Sequence, residues 1–330
     1  MKPVLVYYDL LGYLPEVLDK VDAHFERVSL PDPGHDNDEA LSRAEVLMAP
    51  LGHPVDRAKM DRCPNLKVIA SSTLSVPHVD LDEAARRGIA VVHLGAERQF
   101  MWKVTPTVEV AWGLIIALTR HMPLALRQAK ARNRSGRGLG QMTPRMLSRM
   151  TLGIVGLGRL GTLTAEKAPA FGMRVAYYSP TSRDDRFTRC ETLTELAGAC
   201  DVVSLHAHHT PRTTGMIGEE FFRAMRPGSY LVNTARGELV DEDALLRALD
   251  SGHLAGAALD VVSGEHTPGF KDRLKDHPLL AYARKHDNLI ITPHYAGATR
   301  DAWAMTQTRT VELALAARGD GSAVGRWSED

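Results

Sequence analysis

Three strand-like runs in the second half of the chain end on side chains able to handle a carbonyl or a carboxylate. Val232-Asn233-Thr234-Ala235-Arg236-Gly237 delivers an arginine, Leu259-Asp260-Val261-Val262-Ser263-Gly264-Glu265 two carboxylates, and Ile291-Thr292-Pro293-His294 a histidine. An arginine fork grips a carboxylate through two parallel hydrogen bonds. An imidazole exchanges a proton with a hydroxyl or carbonyl oxygen near neutral pH, and a neighbouring carboxylate favours its charged form and fixes its orientation. Taken singly, each has a plainer reading: Arg236 as a surface ion-pair residue, Glu265 as a solvated loop carboxylate, His294 as a satisfied loop histidine. Their joint placement counts for more, because ligands of open parallel sheets bind at the carboxyl ends of the strands.

A second pattern supplies the context. The apolar run 150–155 meets Gly156-Leu157-Gly158-Arg159-Leu160-Gly161, and residues 162–170 continue with helix-compatible side chains. In such a strand–turn–helix the first glycine allows the tight turn, the second admits a pyrophosphate and the third lets helix and strand pack closely. The helix N-terminus then offers its amides to the phosphates.

These residues need elements to position them. The chain has 330 residues, long enough for two domains at about 150 residues each. Net charge is zero, with 44% hydrophobic and 24% charged residues, so nothing in the balance points to nucleic acid. Three widely spaced cysteines (Cys63, Cys190, Cys200) match neither a disulfide framework nor a metal knuckle, and a reduced cytoplasmic compartment is expected. The most apolar run, 110–118, is short of the ~20 residues of a membrane span.

Strand-like runs at 4–8, 46–49, 67–70 and 89–94 alternate with helical segments at 15–25 and 81–87, so the first hundred residues read as a small α/β unit. Residues 107–121 read as a buried helix. The basic stretch 120–149, centred on Arg132-Asn133-Arg134, reads as a solvated surface loop in preference to an anion site. A second unit begins at Leu152, with strands at 174–178, 201–206, 229–233, 257–261 and 289–292 and a helix at 241–249. Residues 299–318 form an amphipathic helix with no strand of its own, expected to return to the first unit, and 322–330 reads as a loose tail.

Across nearly its whole length the chain resembles the D-isomer-specific 2-hydroxyacid dehydrogenase family. The match rests on residues 152–161, 232–241, 256–261 and 292–299, with Pro227-Gly228 and 65–70 adding to it. The resemblance implies a Rossmann-type dinucleotide-binding domain at 102–295 and a smaller flavodoxin-like α/β substrate domain discontinuous in sequence, 1–101 with 296–330. It implies reduction of a 2-keto acid to the D-2-hydroxy acid with hydride from NAD(P)H. Arg236, Glu265 and His294 would be the catalytic set, with Arg236 on the substrate carboxylate and His294 and Glu265 as the acid–base pair. Gly156, Gly158, Arg159, Leu160 and Gly161 would hold the pyrophosphate. Thr234 and Ala235 would line the nicotinamide, Asp260 would face its carboxamide, and His206, Pro211 and Gly297 would complete the cofactor site. Formate dehydrogenases share the outline but carry glutamine where Glu265 stands. A homodimer is implied, with the helix after Thr107 at its interface.

Two departures bear on specificity. Ser179 stands where the family has an aspartate for the adenosine ribose, followed by Pro180, Thr181, Ser182 and Arg183. Without that carboxylate a 2′-phosphate is not repelled, which favours NADP(H), although NAD(H) remains open. In the substrate loop Thr73 and Ser75 flank Leu74 at the usual glycine positions, and Pro77 replaces the usual aspartate. Side chains then fill space that glycine leaves open, which argues against the family's commonest small 2-keto acids. His206, His208 and His209 form a run suggestive of metal, but no matching ligands accompany it and none is expected. A non-catalytic NAD(P)(H)-sensing protein of the same fold is the alternative; the intact Arg236, Glu265 and His294 favour turnover.

Overall fold

The computed structural model describes residues 2–130, 143–265, 267 and 269–320. The basic cluster around 132–138 and the tail 322–330 lie outside them. The chain divides into two compact units, 1–104 with 298–330, and 105–297.

The first unit is built on five parallel strands: β1 (Val4–Tyr8), β2 (Glu26–Leu30), β3 (Val46–Met48), β4 (Val68–Ser71) and β5 (Ala90–His93), in the order β2-β1-β3-β4-β5. This is the flavodoxin-like order. β1, β3, β4 and β5 are wholly buried, as parallel strands covered on both faces must be. β2 was not apparent from sequence because it is a half-exposed edge strand with a single buried residue, Leu30. Side chains close the helix starts: Asn37, Asp56 and Asp80 accept from the amides of Ala40, Lys59 and Glu83.

The C-terminal helix Arg300–Asp320 packs on this unit. Val311, Ala314 and Ala317 join Val68, Ala70, Ala90 and Val92 in one core. The packed face is not purely apolar: Gln307 and Thr310 are buried too. Gln307 Oε1 accepts from the Leu14 amide at 2.9 Å, and Thr310 Oγ1 accepts from Ser72 Oγ at 2.9 Å. A buried polar group is tolerated when it is hydrogen-bonded, so these bonds fix the helix in register.

The second unit carries seven parallel strands: β6 (Thr151–Val155), β7 (Arg174–Tyr178), β8 (Thr188–Arg189), β9 (Val202–Leu205), β10 (Ser229–Asn233), β11 (Leu254–Leu259) and β12 (Leu289–Ile291). Their order is β12-β11-β10-β9-β6-β7-β8. The chain runs outward from β6 in one direction and from β9 in the other, so the switch point of this Rossmann-type sheet lies where β6 and β9 meet. Apolar cores cover both faces, one around Leu231, Leu245 and Leu259, the other around Ile115, Leu152 and Val232.

Three expectations need correction here. The helix expected over 162–170 begins earlier, at Arg159, and spans Arg159–Lys167, which places Gly161 in its first turn. Part of the basic stretch expected to be loop is the helix Met122–Lys130. Helical residues extend beyond the apolar run 110–118: Arg98–Thr119 covers 22 residues, within which an 18-residue window reaches a mean hydropathy of 1.2. It is two helices, Arg98–Met101 and Pro106–Thr119. The second has 14 residues, about 21 Å against the about 30 Å of a bilayer core, and its Val108, Trp112, Ile115 and Leu118 are core residues.

Replacing the buried Gln307 by leucine leaves the Leu14 amide without its acceptor. We expect a loss of about 1–3 kcal/mol in chemical denaturation; an unchanged midpoint contradicts the assigned role of this bond.

Candidate active site

In the second unit the glycine turn has the shape its spacing predicts. Gly156 sits at φ +90°, and a Cβ there would lie 2.8 Å from the Ala207 amide nitrogen. A Cβ on Gly161 would lie 2.1 Å from the Gly156 carbonyl oxygen, so only glycine lets the helix close on the turn. A Cβ on Gly158 would meet nothing within 4 Å. The chain therefore holds open space where phosphate must approach the helix start, with Arg159 and Leu160 half-buried beside it. Thr234, at the end of β10, adds an orphan: its Oγ1 is buried with no partner among the described residues. These features fit a dinucleotide.

Ser179 is buried at the end of β7, and its Oγ accepts from the Ser182 amide at 3.3 Å. Its hydroxyl thus closes the turn that exposes Pro180, Thr181 and Arg183. Asp184, the next carboxylate, is engaged by Arg186 at 2.7 Å. His206 follows β9; its Nε2 lies 2.9 Å from Ser204 Oγ, and burial pushes its pKa down to about 4. His208, His209 and Pro211 are exposed, and among the described residues no three His, Cys, Asp or Glu side chains gather as metal ligands.

The two residues expected to act as an acid–base pair meet. His294 Nδ1 lies 2.7 Å from Glu265 Oε1, with the carboxylate 11% and the imidazole 40% exposed. The turn that presents His294 is held by Asp260, which is 1% exposed. Its carboxylate accepts from Thr292 Oγ1, from the Tyr295 amide at 3.2 Å and from the Ala296 amide at 2.8 Å. Asp260, expected from the resemblance as a cofactor contact, is thus also the anchor of the histidine loop; sequence gave no hint of this. Gly297 is exposed just beyond that loop.

Arg236 lies on a turn braced by Asn233, whose amide group donates to the Arg236 carbonyl at 2.8 Å and whose Oδ1 accepts from the Ala235 amide at 3.0 Å. The guanidinium is exposed and donates to the Ala235 carbonyl at 2.6 Å. The next residue joins this turn to the Glu265 loop: a Cβ on Gly237 would lie 2.1 Å from the Val262 carbonyl carbon.

In the first unit, Thr73, Leu74 and Ser75 follow β4. Thr73 Oγ1 donates to the Ser75 carbonyl at 2.6 Å and lies 3.0 Å from Ser71 Oγ, so this hydroxyl is spent within its own loop. The amides of Leu74 and Ser75 have no partner among the described residues, and the Leu74 side chain is 49% exposed.

The glycines generate a paired prediction. Gly161→Ala should destabilise the ligand-free protein by about 1–3 kcal/mol through overpacking, while Gly158→Ala should leave its melting midpoint unchanged. Both should weaken nucleotide binding in fluorescence titration. Equal melting midpoints for the two variants, or undiminished binding by Gly158→Ala, contradict this geometry.

Residues 4–98 match the sequence model of the D-isomer specific 2-hydroxyacid dehydrogenase catalytic domain, and residues 112–296 that of the family's NAD binding domain. A glyoxylate reductase of Thermofilum pendens is 37% identical over 284 residues, 82% of this chain and 76% of that protein. The structure of a D-lactate dehydrogenase from Aquifex aeolicus complexed with NAD and lactic acid is similar at 29% identity and a TM-score of 0.73, covering 98% of this chain and 100% of that one. An NADPH-dependent glyoxylate/hydroxypyruvate reductase from Sinorhizobium meliloti matches at 26% identity and a TM-score of 0.77, covering 97% and 95%. Family and relatives support nicotinamide-dependent dehydrogenase or reductase activity on small hydroxy or keto acids. The chain belongs to the D-isomer specific 2-hydroxyacid dehydrogenase family.

Proposed function

We propose that the protein reduces a 2-keto acid to the D-2-hydroxy acid, reversibly, with NADP(H) as its preferred nicotinamide. The observation that carries this reading is the 2.7 Å pairing of His294 Nδ1 with Glu265 Oε1 in the same unit as the dinucleotide turn. A bound nicotinamide supplies the hydride that reaches the substrate's C2. His294 gives its proton to the C2 oxygen, from Nε2 because Nδ1 faces Glu265, and the carbonyl becomes a hydroxyl. Glu265 orients the ring through its contact with Nδ1. Arg236 binds the substrate carboxylate and polarises the keto oxygen. Within the first unit, the amides of Leu74 and Ser75 are donors of the kind a substrate carboxylate takes, and the Thr73 and Ser75 side chains and exposed Leu74 occupy space that glycine would leave open.

For the cofactor, support comes from Ser179, which places no charge beside the ribose, and from the exposed Thr181 and Arg183. A 2′-phosphate would find hydroxyls and a guanidinium there. The relatives named glyoxylate reductase make glyoxylate one substrate to assay, next to larger and polar-headed 2-keto acids.

His294→Ala should lower kcat by about 100-fold or more, as expected for removal of a general acid, with nucleotide affinity retained. Near-parental turnover removes His294 from the mechanism. Ser179→Asp should shift the NADPH/NADH preference towards NADH by about tenfold, equivalent to about 1.4 kcal/mol. An unchanged ratio shows that position 179 does not set the choice.

A further inference from the structure

We propose that Glu242 is a positioning residue, its carboxylate bracing the loop that carries Glu265 and thereby setting the geometry of the His294–Glu265 pair. The proposal rests on the reading of that pair given above. Six residues beyond Arg236, Glu242 Oε1 accepts from the Ser263 amide at 2.7 Å, and its Oε2 lies 3.4 Å from His277 Nε2. Glu238 Oε1 accepts from the next amide, Gly264, at 3.2 Å. Two carboxylates therefore hold two consecutive amides immediately before Glu265, from the segment that follows Arg236.

Helix capping does not account for this arrangement. Glu242 opens the helix Glu242–Asp250, but the cap is Asp241, whose side chain accepts from the Ala244 amide. Glu242 is left 20% exposed with His277 12% exposed, and burial pushes its carboxyl above the usual carboxylate range, opposed by the Ser263 amide and by His277. A buried carboxylate is costly unless hydrogen-bonded, so the Ser263 contact is what makes its position tenable. Among the described residues an open pocket of about 420 Å³ lies beside the loop, bordered by Ser263, Gly264, Phe270, Arg273 and His277. Glu242 itself acts only through this loop. A displacement of about 1 Å in a reacting group can cost about 100-fold in rate.

The test uses the full chain with NADPH and a 2-keto acid that the parent protein turns over. Glu242→Ala should lower kcat by about 10- to 100-fold, and Glu242→Gln, which keeps an acceptor for Ser263, by about three- to tenfold. Nucleotide affinity should stay within about twofold of the parent in both, and amide exchange should accelerate at residues 262–265 alone. Should Glu242→Ala not fold, kcat and local exchange in Glu242→Gln decide the matter. Parental kcat and exchange in Glu242→Gln, or losses of kcat, nucleotide affinity and melting midpoint in step, overturn the proposal. His294→Ala is assayed alongside: undiminished turnover there refutes the underlying mechanism, whereas its loss with unaffected Glu242 variants refutes only the brace.

Discussion

One buried carboxylate sets the backbone on which the candidate chemistry rests. Asp260 ends β11 beside β12, where Leu259 pairs with Ile291, and it accepts three hydrogen bonds from residues 292–296. Between those donors His294 adopts φ +51°, a left-handed conformation that costs a non-glycine residue of order 1–3 kcal/mol. Charge-assisted bonds to a buried acceptor, about 1.5–3 kcal/mol each, are enough to hold it. The strand register thus dictates where Asp260 lies, Asp260 dictates the turn, and the turn directs the imidazole to Glu265.

Close backbone approach makes the candidate site of the second unit one construction. Gly237 lets the Arg236 turn lie against Val262, and the segment behind it reaches the Glu265 loop through Glu238 and Glu242. Gly156 and Gly161 do the same for the dinucleotide turn, one against Ala207, the other against the turn's own carbonyl. At each of these three positions a methyl group would collide with backbone, which cannot move aside as a side chain can. The first unit solves its loop differently. Hydroxyls of Tyr13, Ser72 and Thr310 link the start of that loop to the C-terminal helix, while Thr73 ties the loop to itself.

What could be read from sequence was whatever is encoded locally. The glycine spacing, the apolar strands and the residues ending β10, β11 and β12 all carry their signal within a few positions, as does the helix 300–320 whose partner strands lie in the first hundred residues. What escaped is encoded by distance. β2 and β8 are edge strands with few buried residues, so they lack an apolar pattern. Nothing near His294 announces a left-handed residue, because glycine or asparagine is absent and the conformation is imposed by Asp260, 34 positions earlier. Glu238 and Glu242 look like ordinary acidic residues at a helix start; only the fold shows that their oxygens meet Ser263 and Gly264. Asp260 stood out as a candidate from its place in the resemblance, but its three loop partners did not.

The most direct measurement of the central claim is the reaction itself. The purified protein would be mixed with NADPH, then NADH, and loss of reduced-nicotinamide absorbance followed against glyoxylate, pyruvate, and bulky, aromatic and phosphonate-bearing 2-keto acids, with chiral analysis of any product other than glycolate. The account predicts turnover of at least one acid, faster with NADPH, and a D-configured product. Tight nucleotide binding without turnover across the panel, or an L-configured product, would contradict it.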